Sequence, residues 1–266
     1  MTGLETTCDR SVALRHLGRD PFSHLMSLKM LTLYPEACTT TTYLHAGGWA
    51  CLTEMDAAAS PWDRLCYPSC SRVVMIDGDN DELLRLAFQG SPKVGSVFKV
   101  HDPLTESLVR ALRGASRVRS YLNYSTPESY RMAPPTTPIV EGDGLTPEAI
   151  RMFAENGYTP GELEEHFRHG ATWFGLSVGG QCVSACFTFR NFERIWEIAG
   201  VFTLPEHRRR GHAASVVRAA LARLIGSRRI PRYQFREDNR ASRAVAESLG
   251  LRHVLTVSHY TTAVAP

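Results

Sequence analysis

Val201-Phe202-Thr203-Leu204-Pro205-Glu206-His207-Arg208-Arg209-Arg210-Gly211-His212-Ala213 is the stretch on which the reading of this chain turns. It passes from an apolar strand pattern, through a proline break, into a basic turn and then into helical spacing. Eight of the thirteen residues from Glu206 to Arg218 are charged, histidine or serine, an excess that calls for a local anion. The first N–H groups of a helix have no intrahelical partners and carry the positive end of its dipole. Small residues such as Gly211 and Ala213 let phosphate oxygens reach those amides, and three arginines add charge around them. The loop by itself predicts either a pyrophosphate site or a solvated basic turn.

The elements around the loop follow from periodicity and punctuation. Helices are expected over Thr146–Asn156 and Pro160–Arg168. They lead into strands at Trp173–Val178 and Cys182–Arg190, joined at Gly179-Gly180, and a third at Arg194–Thr203. Gly211–Gly226 has Val216, Val217, Ala220, Leu221 and Leu224 on one helical face; then come a strand at Arg232–Arg236, a helix at Asn239–Leu249 and a strand at His253–Tyr260. The proline-rich segment with Pro127, Pro134, Pro135 and Pro138 has the composition of a connection. The expected division is 1–125, a linker at 126–137, and 138–266.

Residues 1–125 repeat the order strand, strand, strand, helix, strand, helix, strand. In the place of the basic loop they carry Asp77-Gly78-Asp79-Asn80-Asp81, which repels a pyrophosphate. The first half reads either as a second copy that has lost this ligand or as an unrelated α/β domain.

Bulk properties narrow the function classes. The chain has 266 residues, 21% of them charged, and a net charge of +3. That is an ordinary globular composition with no field to hold nucleic acid. Seven cysteines form an odd set without paired CxxC spacing, so reduced thiols are expected and no metal. Cys182 and Cys186 read as core thiols. With neither a leader pattern nor a membrane-length apolar run, the expected location is cytoplasmic, with no membrane partner.

The quoted loop resembles the signature of the GNAT acetyltransferase superfamily: Arg or Gln, two residues, Gly, one residue, Gly or Ala. A second family motif follows in Asn239, Ser242, Glu247, Leu249, Gly250 and Leu251, with Leu251 where the family has Phe. The likeness covers about 120 residues, from near Ile139 to Tyr260, and is closest to the glycine N-acyltransferase-like branch. It implies an α/β fold of the α+β kind, a mixed and mostly antiparallel sheet flanked by helices, with the first half as a degenerate GNAT-like copy. It also implies an N-acyltransferase that moves an acetyl or other acyl group from acetyl-CoA, as co-substrate, to a primary amine of a small molecule or amino acid by direct attack. Alternatives are acetylation of protein N-termini or lysines, and a non-catalytic acyl-CoA-binding regulatory module. A monomer or homodimer fits either activity.

The resemblance also assigns roles. Val201, Phe202 and Thr203 would pair through their backbone with the pantetheine arm where the fourth strand splays from the fifth. One of their N–H groups would face the developing oxyanion. Arg208, Arg209, Arg210, Gly211, His212, Ala213 and Ala214 would cradle the pyrophosphate, and Asn239 and Ser242 would touch the cofactor. Glu197, eleven residues before Arg208, is the candidate base; a salt bridge to an arginine of the adjacent strand is the competing reading. Gln234 stands at another common base position and Ala246 at the usual tyrosine acid, so Tyr260 is the candidate acid, with His259 and Ser248 behind it. The acyl group is expected under Asn156-Gly157-Tyr158 and the helices around Ile150 and Phe167.

Overall fold

The computed structural model describes residues 3–131 and 137–262. Pro134 and Pro135 of the expected linker lie outside the described residues. The chain forms two compact units, Met1–Tyr121 with Leu255–Pro266, and Leu122–Val254. The division differs from a contiguous cut at 126–137, because the end of the last strand belongs with the first unit.

Unit 1 contains β1 (Glu5–Thr7), α1 (Arg10–Leu17), α2 (Leu25–Leu33), β2 (Cys38–His45), β3 (Gly48–Asp56), α3 (Pro61–Cys66), β4 (Arg72–Gly78), α4 (Asp81–Gly90), β5 (Ser96–Val100), α5 (Pro103–Arg113) and most of β6 (Ser116–Ser125). Unit 2 contains β7 (Val140–Gly142), α6 (Pro147–Ala154), α7 (Pro160–Arg168), β8 (Thr172–Val178), β9 (Gln181–Phe192), β10 (Ile195–Thr203), α8 (His212–Gly226), β11 (Ile230–Arg236), α9 (Arg240–Ser248) and the start of β12 (Arg252–Thr261). Read in order, unit 2 runs strand, two helices, three strands, helix, strand, helix, strand, and unit 1 runs the same order with α3 inserted between β3 and β4. The repeat read from the sequence is therefore present as structure. The sequence reading lacked β1, α1, α2, α3 and β7, which are short or without a clean apolar period.

In each unit the strands pair antiparallel except for one parallel pair, β4 with β5 and β10 with β11. Helix starts follow the capping chemistry in the sequence. Thr146 accepts from Ala149 N–H with Pro147 at the first turn, and Thr159 forms a reciprocal capping box with Glu162 beside Pro160. Helix α8 buries Val216, Val217, Ala220, Leu221 and Leu224 against Phe174, Val183, Cys186, Ile198 and Tyr233. Each such Val or Leu contributes about 1.5–3 kcal/mol. On a second core of unit 2, α6 and α7 place Phe153 and Leu163 against Phe187 and Cys182. All seven cysteines are free, with Cys182 and Cys186 buried as core thiols. No helix among the described residues is long and apolar enough to cross a membrane.

Unit 1 holds a buried histidine with a consequence for pH. His259 on β12 lies with Nδ1 2.5 Å from the Tyr67 hydroxyl, within hydrogen-bond distance. Burial, and then the charges of Lys99 and Arg119, hold the imidazole well below its ordinary range. The unfolded chain takes up a proton at this histidine below about pH 6.5, which the folded chain refuses. More protons are then bound in the unfolded state, so stability falls as pH drops, by up to about 1.4 kcal/mol per pH unit from this group. Urea unfolding followed downward from neutral pH should show that loss, and His259→Asn should flatten it. An equal acid slope in wild type and variant would refute the assignment.

Candidate functional site

The parallel pair β10–β11 is joined only over Ile195–Ile198 with Ile230–Tyr233. Beyond Ile198 the two strands part, while β10 continues to Thr203 against β9. On the β9 side the register moves three residues along β10, from Ala199 to Phe202, for two along β9, from Phe187 to Ala185. One extra residue is thus bulged out, and Gly200 sits at φ +61°. A Cβ at Gly200 would lie 2.7 Å from Phe187 Cε1, so both the left-handed backbone and the contact require glycine. The bulge takes Gly200 and Val201 out of the ladder at the mouth of the opening. Val201, Phe202 and Thr203 are half-buried along it. This is the splay that the sequence resemblance implies.

The strand delivers the chain into the basic loop. After a short 3-10 turn at Pro205–His207, Arg209 adopts φ +61° and Gly211 φ +79°, and α8 starts at His212. A non-glycine residue held left-handed is strained backbone. Here Arg209 and Gly211 alternate with Arg210, whose φ is not positive, the kind of alternation from which anion nests are built. No side chain caps α8, so its first amides have no side-chain acceptor at the cap. Arg208 is anchored by Nε donating to Thr203 O at 3.0 Å, with its guanidinium 5.8 Å from the Phe202 ring. Arg209, Arg210 and Gly211 are exposed, and His212, Ala213 and Ala214 are half-buried on the first turn. Asn239 caps α9 by accepting from Ser242 N–H at 3.0 Å, so its side-chain oxygen has a structural task.

Glu197 is where the fold departs most from the expected base. Its side chain is 8% exposed, and Oε2 lies 2.5 Å from Nη1 of Arg232, itself 5% exposed. Asn191 Nδ2 donates to the same oxygen at 2.9 Å, and the Gln234 N–H to Oε1 at 3.2 Å. Three donors occupy the carboxylate. The competing reading, a salt bridge to the adjacent strand, is the one found. Arg232 and Glu197 face each other in the β10–β11 register, and together they lock the strands just before they diverge.

Tyr260 is likewise committed elsewhere. It belongs to unit 1, where it packs with Phe88 and Phe98 and its hydroxyl donates to Glu106 Oε1. Burial and then Glu106 push its phenol up to about 12. The sequence reading gave this hydroxyl the role of acid; in the structure its hydrogen-bond partner is Glu106. His259 is held by Tyr67 in the same unit, and the Ser248 hydroxyl donates to Val245 O. Ala246, where the family has its tyrosine, is fully buried in the core under α9.

The expected acyl pocket is more aromatic than its sequence outline. Tyr158 meets Phe187 edge-on at 5.1 Å between centroids, Phe153 meets Phe187 at 4.9 Å, and the His166 ring lies 4.1 Å from Phe189. Phe167, Ala199 and Phe202 pack on the same cluster. Burial, and then the neighbouring charge of Glu197, push the Tyr158 phenol up. It therefore keeps its proton as a donor. His166, Phe187 and Phe189 were missed, because on the sequence they read as ordinary members of a helix and a strand.

An opened strand edge, a left-handed basic loop and a helix start without a side-chain cap thus lie together in sequence at the end of β10. Residues 143–251 match the acetyltransferase (GNAT) family, and the architecture is the mixed α/β GNAT fold. The structure is similar to that of a GCN5-related N-acetyltransferase from Sphaerobacter thermophilus (11% identity, TM-score 0.60), covering 98% of this chain and 96% of that one. A Drosophila protein is similar over 98% of both chains (15%, 0.58). A tandem GNAT protein from the clavulanic acid biosynthesis pathway is similar over 99% of both (14%, 0.56). At these identities the likeness is one of fold. No curated protein matches the sequence.

Proposed function

We propose that the protein is an N-acyltransferase that uses acetyl-CoA, or another acyl-CoA, to acylate a primary amine of a small molecule or amino acid by direct attack. The observation that carries this reading is the loss of β10–β11 pairing after Ile198 beside the left-handed Arg209–Gly211 loop. An extended arm fits the free edge of Val201–Thr203, and a pyrophosphate fits the amides of Arg209–Ala214 with Arg208, Arg209 and Arg210 around them. The co-substrate supplies the activated thioester. The bulge at Gly200 and Val201 offers an N–H for the charge that develops on the carbonyl oxygen. The aromatic cluster of Tyr158, Phe187 and Phe189 excludes water from the acyl group. Glu197 holds Arg232 and the Gln234 amide so that the opening keeps its shape, and the amine's proton leaves through water. The first half, 1–125, is read as the copy that has given up this ligand.

The sequence likeness to glycine N-acyltransferases favours a small amino acid or amine over protein N-termini and lysines. A second reading, acyl-CoA binding without catalysis, is favoured by the three donors that occupy Glu197 and by the alanine at the family's tyrosine position. Incubation with acetyl-CoA and a panel of amines, following release of free thiol, separates the two. Amine-dependent release at a rate above hydrolysis is the expected result. Tight CoA binding with no release for any amine would establish the binding module instead.

A further inference from the structure

In unit 1 the parallel pair β4–β5 is joined only over Arg72–Val74 with Ser96–Phe98. Where the strands run on, three side chains converge that the proposed reaction does not use. The same register offset carries Asp77, near the end of β4, to His101, just past β5. His24, at the head of α2, supplies the third. His24 Nδ1 lies 2.8 Å from Asp77 Oδ1, and His101 Nδ1 lies 3.9 Å from that oxygen. One ligand atom from each of the three residues falls within 4.8 Å of the others.

We propose that His24, Asp77 and His101 form a divalent transition-metal site, with zinc as its best-fitting occupant, completed by water. Two imidazoles and one carboxylate are the donor set of zinc sites that keep an open position. Ligands about 2.0–2.1 Å from a tetrahedral ion stand roughly 3.3 Å apart, a spacing that the 2.8 and 3.9 Å separations bracket. The outer support is also present. The Ser27 hydroxyl donates to Asp77 Oδ2, which leaves Oδ1 turned toward both histidines. Trp49 meets the His24 ring edge-on at 5.4 Å, and the rings of His24 and His101 lie edge to face at 5.6 Å. Both orientations are thereby fixed.

Exposure is graded as a metal site needs, 4% for Asp77, 13% for His24 and 19% for His101. The carboxylate is held inside while the imidazoles reach solvent, from which an ion arrives. Asp20 and Asp79 add negative charge around His24, which suits a cation as it repels a pyrophosphate. A plain ion pair accounts for His24 and Asp77, whereas His101 Nδ1 stands beyond hydrogen-bond distance of the same oxygen, at 3.9 Å. The divergence of the parallel strands, which in unit 2 serves an anion, here serves a cation. This site stands apart from the acyltransferase reading and survives its failure.

The full-length chain, stripped with a chelator and titrated with Zn²⁺, is expected to bind one ion per chain at this site. Co²⁺ in its place should give the visible bands of a four- or five-coordinate nitrogen and oxygen site, without an intense thiolate charge-transfer band. His101→Gln, at a partly exposed position, should abolish saturable binding while the circular dichroism of the fold is retained. Ser27→Ala should weaken binding roughly tenfold to a hundredfold. Absence of saturable Zn²⁺ binding by the wild type, a thiolate band with Co²⁺, or undiminished binding by folded His101→Gln would each overturn the proposal. Should His101→Gln unfold, the Co²⁺ spectrum of the wild type alone decides.

Discussion

Arg232→Met is expected to lower the unfolding free energy by about 3–5 kcal/mol, read as a fall in urea midpoint at unchanged slope. Arg232 and Glu197 are 5% and 8% exposed and lie 2.5 Å apart. Removal of the guanidinium leaves a buried carboxylate with only the Asn191 amide and the Gln234 N–H to face it. Those two neutral donors do not balance a charge taken out of water. The loss falls on the last joined rungs of β10 and β11, so the opening beyond Ile198 should lose its shape as well. Glu197→Gln with Arg232→Met removes both charges and should be less destabilised than Arg232→Met alone. A single variant within about 1 kcal/mol of wild type would refute the lock, since that is the scale of an exposed pair. Glu197→Gln by itself separates the two readings of the glutamate. A catalytic base predicts lost turnover at unchanged stability, whereas the lock predicts a loss of stability.

Gly211→Val should weaken CoA binding about 100-fold, measured by calorimetry, with a small change in thermal stability. Gly211 holds φ +79° next to Arg209 at φ +61°, and a β-branched residue there costs about 1–3 kcal/mol of backbone strain. The loop is exposed, so it can relieve that strain by leaving the left-handed region. Relief turns the amides away from the pyrophosphate and forfeits charge-assisted hydrogen bonds of about 1.5–3 kcal/mol each. A loss near 3 kcal/mol corresponds to roughly a hundredfold in Kd. Alanine substitution of Arg209, which removes charge, should have a smaller effect and leave CoA binding less sensitive to salt than in the wild type. Unchanged CoA affinity in Gly211→Val would remove the loop from the binding site.

Much of this molecule can be read from its residues in order. The loop from Val201 to Ala213, the caps at Thr146 and Thr159, the apolar face of α8 and the repeat between the halves are local patterns, set by backbone sterics, unpaired amides and helical period. These patterns also carry the resemblance to the GNAT superfamily. The partners of Glu197 were narrowed to two readings but not chosen, because a β10 carboxylate meets β11 only through a register that the chain order leaves open. The partner of Tyr260 was not legible for a similar reason: the end of β12 belongs to unit 1, where its hydroxyl donates to Glu106.

The aromatic cluster and the histidine site lie at the far limit of that legibility. Phe187, Phe189 and His166 occupy ordinary strand and helix positions, and their common pocket exists only once α7 has packed on β9. His24, Asp77 and His101 are separated by 53 and 24 residues and share no motif. By itself the sequence determined most of the elements, their repeated order, the basic loop and the resemblance to the GNAT superfamily, since each rests on neighbours along the chain. Tertiary structure alone decided which charges are paired, which glycine makes the bulge and which side chains converge, because burial and strand register couple residues that the backbone keeps far apart.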